Sequence, residues 1–184
     1  MTDAEPPPTG PTLTPAASAG STPAGGISIR PLEADDAHRL QDLARRVSPT
    51  SGYFRFFVPM PTLREPLLTH LVSVDHQDRE ALAAVAGDQV VGVARYDRMP
   101  TDPNTAEIAV LVADAWQARG IARRLLVELA DLAQARQIQQ FTALTLPDNR
   151  GIARLLHSLW PQLQVRIEDG NYAYRLPLPP IHQR

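Results

Sequence analysis

One segment of the sequence joins an apolar strand to a long amphipathic helix through a short loop. Residues 106–113 are almost continuously apolar after Glu107, which is typical of a strand buried inside a sheet. The loop that follows ends at Gly120. Apolar residues then recur at helical spacing and mark one face of a helix over 120–137: Ile121, Leu125, Leu126, Leu129, Ala130, Leu132 and Ala133. The segment therefore predicts a buried strand that leads directly into the longest helix of the chain.

The rest of the chain predicts a layered domain of strands and helices. Further strands are expected at 27–32, 81–86, 89–96, 141–146, 165–168 and 172–176, and further helices at 37–47, 62–72 and 149–159. Gly87-Asp88 and Asp169-Gly170 are typical of tight hairpin turns. The aromatic-rich residues 51–61 are expected to form a loop, and residues 102–104 a turn. The prediction is a single α/β (α+β) domain with a mixed, mostly antiparallel sheet of about seven strands and about four helices.

The two ends of the chain differ in composition from this domain. Residues 1–26 contain six Pro, four Gly, five Ala and five Thr, so they have too little apolar surface to offset the entropy of ordering. We expect a disordered tail over 1–26, a folded domain over 27–178 and a short C-terminal tail over 179–184. The N-terminus carries no basic residue before Arg30, so a cytoplasmic location is the expectation.

Charge and residue usage exclude several classes of protein. The chain has 18 basic and 20 acidic residues and a net charge of −2, without the basic patch of a nucleic-acid binder or a membrane anchor. It has no Cys, which excludes disulfides, a thiol nucleophile and Cys-ligated zinc. The five His show no metal-ligand spacing, so no metal is expected. The expected partners are small molecules or other proteins.

The start of the long helix has the properties of an anion site. The first backbone N–H groups of a helix have no partner within it, and the positive end of the helix dipole lies behind them. Gly120 would let a pyrophosphate approach the backbone closely, and Arg119, Arg123 and Arg124 add positive charge. A single Gly at a helix start is weak evidence by itself, and the Gly-x-Gly-x-x-Gly of dinucleotide-binding proteins is absent.

The residues around this Gly add the missing context. Gln117-x-x-Gly120-x-Ala122 after an apolar strand matches the Gln/Arg-x-x-Gly-x-Gly/Ala signature of acetyl-CoA-binding loops, so the chain resembles the GNAT N-acetyltransferase family over residues 27–176. The resemblance implies a GNAT domain with acetyl-CoA as co-substrate, its pantetheine arm paired with the end of the preceding strand. It implies these cofactor-binding residues: Leu111, Val112, Gln117, Arg119, Gly120, Ile121, Ala122, Arg123 and Asn149.

A narrower resemblance concerns the acetyl acceptor. Three stretches are similar to the catalytic domain of actinobacterial protein lysine acetyltransferases: residues 51–57, residues 83–96 and Ala106-Glu107-Ile108-Ala109. A lysine amine has a pKa of about 10.4 and must lose a proton before it attacks a thioester. The resemblance implies that Glu107 is the catalytic base, and partial burial is expected to raise its pKa. The oxyanion would be held by a backbone N–H near Leu111 or Val112.

Several roles remain open at this point. Asn149 is either a cofactor or substrate contact or an ordinary helix cap. Many family members have a Tyr general acid seven residues after this Asn, but here the position is Leu156, which leaves Tyr96 as a remote alternative. Arg55, Phe56 and Phe57 either line an acceptor groove or belong to the core.

The expected function is acetyl transfer from acetyl-CoA to protein lysine by direct attack in a ternary complex. Two alternatives remain, which are acetylation of a small-molecule amine and non-catalytic binding of acyl-CoA. The sequence does not predict the oligomeric state.

Overall fold

A seven-stranded sheet forms the centre of the fold in the computed structural model, which describes residues 26–57 and 62–180. The strand order is β1-β2-β3-β4-β5-β7-β6. The strands are β1 (Ile27–Pro31), β2 (Arg79–Ala86), β3 (Gln89–Met99), β4 (Asp102–Val112), β5 (Gln140–Thr145), β6 (Gln164–Glu168) and β7 (Asn171–Pro177). The helices are α1 (Ala37–Arg45), α2 (Pro49–Phe56), α3 (Glu65–Val72), α4 (Ile121–Ala135) and α5 (Arg150–Leu159).

The pairing of β4 with β5 differs from every other pairing in the sheet. All other neighbouring strands are antiparallel, whereas β4 and β5 are parallel. Their register covers only three pairs, Thr105 with Gln140, Ala106 with Phe141 and Glu107 with Thr142. Beyond Glu107 the two strands no longer pair. The mixed, mostly antiparallel sheet is confirmed, and it opens next to the strand that the sequence singled out.

Helices cover both faces of this sheet because successive side chains of a strand point to opposite faces. On one face, Ile108 and Val112 of β4 belong to the core cluster of α4 and α5. On the other face, Leu111 packs in a second cluster with residues of α1 and α3. Helix α4 is held by Leu125, Leu126 and Leu129, each 0% exposed. Each such side chain contributes about 1.5–3 kcal/mol by burial.

Some predicted boundaries were wrong. Residues 51–56, expected as a loop, are part of α2, so residues 26–57 and 62–180 contain five α-helices where about four were predicted. Asp102, Pro103 and Asn104, expected as a turn, already belong to β4. The second predicted helix begins at Glu65 rather than at residue 62. Both hairpins, the long helix and the cap at Asn149 are confirmed.

Parts of the two tails and of the aromatic-rich segment lie outside the described residues, namely 1–25, 58–61 and 181–184. The prediction of a disordered N-terminal tail is therefore not tested. Within the described ranges, no helix is long and apolar enough to cross a membrane. The same residues contain no group of three or more His, Asp or Glu side chains that could hold a metal ion.

Candidate active site

A cleft of about 290 Å³ lies where β4 and β5 separate. One wall is β4 and the other is the end of β5, while α2 and α5 complete the lining. The lining includes Phe54, Arg55, Phe56, Phe57, Glu107, Ile108, Ala109, Val110, Ala143, Leu144, Thr145, Asn149, Ile152 and Leu156. The cleft thus brings together the predicted base, the aromatic-rich segment and the helix that Asn149 begins.

The N-terminus of α4 is open to a ligand. Its first internal hydrogen bond runs from Arg124 N–H to Gly120 O at 3.1 Å, so the N–H groups of Ile121, Ala122 and Arg123 precede the helix's own bonding. None of the described side chains caps the helix at Gly120. Gly120 has φ +77°, and a Cβ built there would meet nothing within 4 Å. Open backbone of this kind fits a pyrophosphate.

The side chains of the preceding loop mostly hold the loop itself. Gln117 Nε2 donates to Val112 O at 3.1 Å and to Ser51 Oγ at 3.2 Å, which ties the loop to both β4 and α2. The Arg119 guanidinium lies 4.9 Å from the centre of the Trp116 ring. Arg119 is exposed, so its guanidinium is accessible to an anion.

The side chains of two other predicted cofactor-binding residues contact other parts of the protein. Arg123 donates to Ser158 Oγ of α5 at 2.6 Å. The Ile121 side chain is 3% exposed and belongs to the core. Both can offer a backbone N–H to a ligand, while Ala122 has a side chain too small to obstruct one. The loop and the start of α4 therefore present mainly backbone groups.

The edge of β4 that faces β5 is unpaired beyond Glu107. Ala113 N–H donates to Val91 O at 2.9 Å, which continues the register in which Leu111 pairs with Val93. Since backbone groups of a strand alternate between its two edges, those of Leu111 face β3 and those of Val110 and Val112 face the cleft side. This leaves a strand edge to which an extended, amide-containing chain could pair.

Glu107 lies at the point where the two strands separate. It pairs with Asp97 on β3 and with Thr142 on β5, which is the last pair before the opening. Its side chain is exposed, so the expected partial burial was wrong: the carboxylate lies at the mouth of the cleft rather than inside it. It makes no hydrogen bond or ion pair with the described residues.

The neighbouring carboxylate, Asp97, forms ion pairs with two Arg side chains, unlike Glu107. Arg95 donates to both of its oxygens at 2.9 Å, and Arg79 Nε donates to one at 2.9 Å. Burial raises the pKa of Asp97, but the hydrogen bonds and charges of Arg95 and Arg79 outweigh burial and lower it. Asp97 is engaged in structural ion pairs, which leaves Glu107 as the free carboxylate of the pair.

Helix α2 connects the cofactor loop to the neighbourhood of Glu107. Ser48 caps it by accepting from Ser51 N–H at 3.1 Å, and Pro49 occupies its first turn. At the other end, Arg55, Phe56 and Phe57 line the cleft. Sequence reasoning missed this helix, although the Ser48-Pro49 pair is a typical helix start and could have revealed it.

The remaining candidates divide between cleft and core. Asn149 Oδ1 accepts from Ile152 N–H at 3.3 Å, so it caps α5 while also lining the cleft. Tyr96 is wrong as an alternative acid: it is 0% exposed, its hydroxyl donates to Gln77 O at 2.9 Å, and burial raises its pKa to about 12. Sequence reasoning also missed Thr145, a cleft residue whose buried Oγ1 has no hydrogen-bond partner among the described residues.

Comparisons with known proteins agree with this geometry. The profile of the Acetyltransferase (GNAT) family matches residues 47–159. The GNAT domain of S. lividans PAT is 34% identical with a TM-score of 0.77, over 83% of this chain and 90% of that domain. An acetyltransferase of Pseudomonas aeruginosa is 28% identical over 137 residues, 72% of this chain and 73% of that protein.

A more distant structure contains the co-substrate. It comes from Salmonella typhimurium, holds acetyl-CoA and has the same fold, with a TM-score of 0.65 at 18% identity over 83% of this chain and 94% of that one. In this chain the start of α4, the backbone at Gly120 and the edge of β4 beyond Glu107 are open to a ligand. By its family profile and its likeness to the S. lividans domain, the chain belongs to the acetyltransferase (GNAT) family, as an N-acetyltransferase that uses acetyl-CoA as its co-substrate.

Proposed function

We propose that this enzyme transfers the acetyl group of acetyl-CoA to lysine side chains of proteins, with Glu107 as the base. One observation carries the proposal: the Glu107 carboxylate, which has no hydrogen-bond or ion-pair partner among the described residues, lies at the mouth of the cleft that begins where β4 and β5 separate. Support for a protein lysine acceptor comes from the similarity of residues 51–57, 83–96 and 106–109 to lysine acetyltransferases, and from the likeness to S. lividans PAT.

The first step is to hold acetyl-CoA. In this proposal the N–H groups of Gly120, Ile121, Ala122 and Arg123 bind the pyrophosphate, and Arg119 adds charge from the solvent side. Gln117 acts indirectly, since its amide fixes the loop to Val112 and Ser51. The pantetheine arm runs along the open edge of β4 beside Leu111 and Val112, and Asn149 also lines this cleft.

The second step is to make the amine nucleophilic. Only about one lysine amine in a thousand is neutral near pH 7, so a proton acceptor must stand beside it. Glu107 is available because no described group occupies its oxygens, whereas Asp97 is held by Arg79 and Arg95. The amine nitrogen then attacks the thioester carbonyl as its proton passes to Glu107, directly or through a water molecule.

The last step is to break the C–S bond. Negative charge develops on the carbonyl oxygen, and the Val112 N–H is the donor placed for it, because the Leu111 N–H faces β3. When the carbonyl re-forms, the C–S bond breaks and the thiolate of CoA leaves. The second proton that the attacking nitrogen must lose then reaches this thiolate through water. No Tyr, His, Ser or Lys occurs among the described residues that line the cleft, and position 156 is a buried Leu.

Acceptor identity is tested by supplying both classes of amine. The purified protein is incubated with acetyl-CoA and either lysine-containing proteins or small amines, and the products are analysed by mass spectrometry. We expect acetyl groups on lysine side chains at rates well above those on small amines. The reverse preference would assign the enzyme to small-molecule acetylation, and acetyl-CoA binding without any transfer would indicate a non-catalytic module.

A further inference from the structure

The face of the sheet around Glu107 carries more positive than negative charge. Arg79 and Arg95 share a single carboxylate, Asp97. A third guanidinium, that of Arg55, lies close enough to Arg95, Asp97 and Glu107 for their charges to shift its pKa. Three guanidinium groups thus surround two carboxylates, one of which is exposed to solvent. The excess is one positive charge.

Arg55 is the cation without a partner in this group. Its guanidinium lies 4.9 Å from the centre of the Phe56 ring, and it makes no hydrogen bond or ion pair with any described residue. Burial lowers its pKa to about 10, the charge of Arg95 acts in the same direction, and the charges of Glu107 and Asp97 oppose them. A partly buried cation of this kind gains from a bound anion, because a charge-assisted hydrogen bond offsets its lost hydration.

The position of Arg55 indicates which substrate would bring that anion. The first turn of α2 meets the cofactor loop, where Ser51 accepts from Gln117. Arg55 is in the last turn of the same helix, roughly 6 Å further along its axis, and it lines the cleft together with Glu107. The phosphates of acetyl-CoA belong at the loop end, so Arg55 faces the acceptor side of the site.

We propose that Arg55 makes the enzyme selective for acceptors that carry a carboxylate close to the reactive amine. This inference rests on the proposed function, since it takes Glu107 as the group that the amine must reach. The carboxylate can come from an acidic side chain beside the target lysine of a protein or from a small amino acid. In either case Arg55 binds the carboxylate while Glu107 receives the proton of the amine, so that the two charges of the acceptor meet opposite charges of the enzyme.

Matched acceptor pairs test the selectivity directly. The first pair is a lysine peptide with Glu beside the lysine and the same peptide with Gln there. The second pair is 6-aminohexanoate and 6-aminohexanamide, whose terminal amines have similar basicity but which differ in the distal charge. We expect the wild-type kcat/KM to favour the carboxylate-bearing member of at least one pair by about tenfold, mainly through KM.

Variants then assign the preference to Arg55. Arg55→Gln should reduce the preference to less than about twofold while acetyl-CoA affinity and thermal unfolding stay near wild type, and Arg55→Lys should restore most of it. Arg166→Gln, which removes one exposed Arg from edge strand β6, should leave the preference unchanged. A preference in the peptide pair alone points to an acidic neighbour in a protein, and one in the small pair alone points to a small amino acid.

Different results would overturn the carboxylate selectivity and the proposed protein acceptor. If the wild type acetylates both members of each pair at equal kcat/KM, or if Arg55→Gln keeps the preference, the inference is overturned while the proposed function stands. If lysine peptides are not acetylated at all but small amines are, the protein acceptor is wrong, and the small pair alone decides whether Arg55 selects for a carboxylate.

Discussion

At the residue scale, the chemistry available to the site depends on which carboxylates already form ion pairs within the protein. Glu107 and Asp97 are direct neighbours across β3 and β4, yet Asp97 has two Arg partners and Glu107 has none among the described residues. The motif around Glu107 predicts that it is the base, and this role stays a prediction. Its exposure could not be predicted, because it depends on where β5 leaves β4, and that is set by contacts distant in sequence.

Replacing Glu107 by Gln tests the base. The amide keeps the size of the side chain but cannot accept the amine proton, so kcat should fall by about 10²–10⁴-fold at pH 7 while acetyl-CoA affinity stays near wild type. Steady-state kinetics and calorimetric titration measure the two quantities. Glu168→Gln, an exposed change on β6, serves as the control. Activity within about threefold of wild type would remove Glu107 from the mechanism.

Asp36 illustrates a charge that stabilises the fold. Its carboxylate is 0% exposed and accepts from Arg30 at 2.7 Å through both oxygens and from Arg39 at 3.0 Å. The Arg30 guanidinium holds the pKa of Asp36 far below its ordinary value. A carboxyl whose pKa is lowered by folding stabilises the protein above its unfolded pKa of about 3.9, and this contribution is lost as the pH falls below that value.

We therefore expect Asp36→Asn to lower the free energy of unfolding by about 2 kcal/mol at pH 7. The difference from wild type should shrink as the pH falls below about 4, because the carboxyl then takes up a proton in the unfolded chain while it stays ionised in the folded protein. Urea unfolding at several pH values between 7 and 3 measures this. Asp42→Asn breaks an exposed pair with Arg45 and should cost less than about 0.5 kcal/mol. Equal costs for the two variants at pH 7 would contradict the role of burial.

At the element scale, helix α2 shows why part of the site escaped prediction. Its sequence has Gly52 in the middle and three aromatic residues, which are poor helix formers, so the sequence pattern predicts a loop. The helix forms because Ser48 caps it, Pro49 fits its first turn and its aromatic end packs beside β4. Helix α4, by contrast, was predicted almost to the residue, since its apolar face alone determines where it packs.

The start of α4 gives the prediction at this scale. Gly120→Ala places a Cβ on a residue with φ +77° and in the space that a pyrophosphate would need. We expect a loss of stability of about 1 kcal/mol from the backbone and an increase in the Kd for acetyl-CoA of about tenfold or more. Calorimetric titration and thermal unfolding measure the two effects.

Gly87 provides a matched control for this change. It has φ +58° in the β2–β3 hairpin, a Cβ there would also meet nothing within 4 Å, and it lies outside the cofactor loop. Gly87→Ala should thus cost similar stability without weakening acetyl-CoA binding. If both variants bind acetyl-CoA equally well, the start of α4 is not the pyrophosphate site.

At the scale of the whole molecule, the sheet is stabilised by a separate hydrophobic cluster on each of its two faces. The core of α4 and α5 on one face includes residues of β2 to β5 and of β7, and the cluster of α1 and α3 on the other face includes residues of β2 to β4. The element order predicted this layering. The family signature predicts that the loop ending at Gly120 binds the cofactor, and this stays a prediction. The separation of β4 from β5 was not predictable from residues alone, because no local pattern marks the end of a pairing between strands that are 28 or more residues apart.

Composition sets a last property of the whole chain, because all 18 of its basic residues are Arg and none is Lys. Guanidinium groups stay protonated and are poor nucleophiles, so an enzyme of this sequence offers no side-chain amine to its own active site. We expect no acetylation within residues 26–180 after prolonged incubation with acetyl-CoA, under conditions in which an added lysine peptide is fully acetylated. Introducing a lysine by Leu144→Lys, at an exposed position of the cleft lining, should create an acceptor where Arg166→Lys on β6 does not. Peptide mapping by mass spectrometry decides the matter, and substantial acetylation inside the wild-type domain would reveal an acceptor group other than an amine.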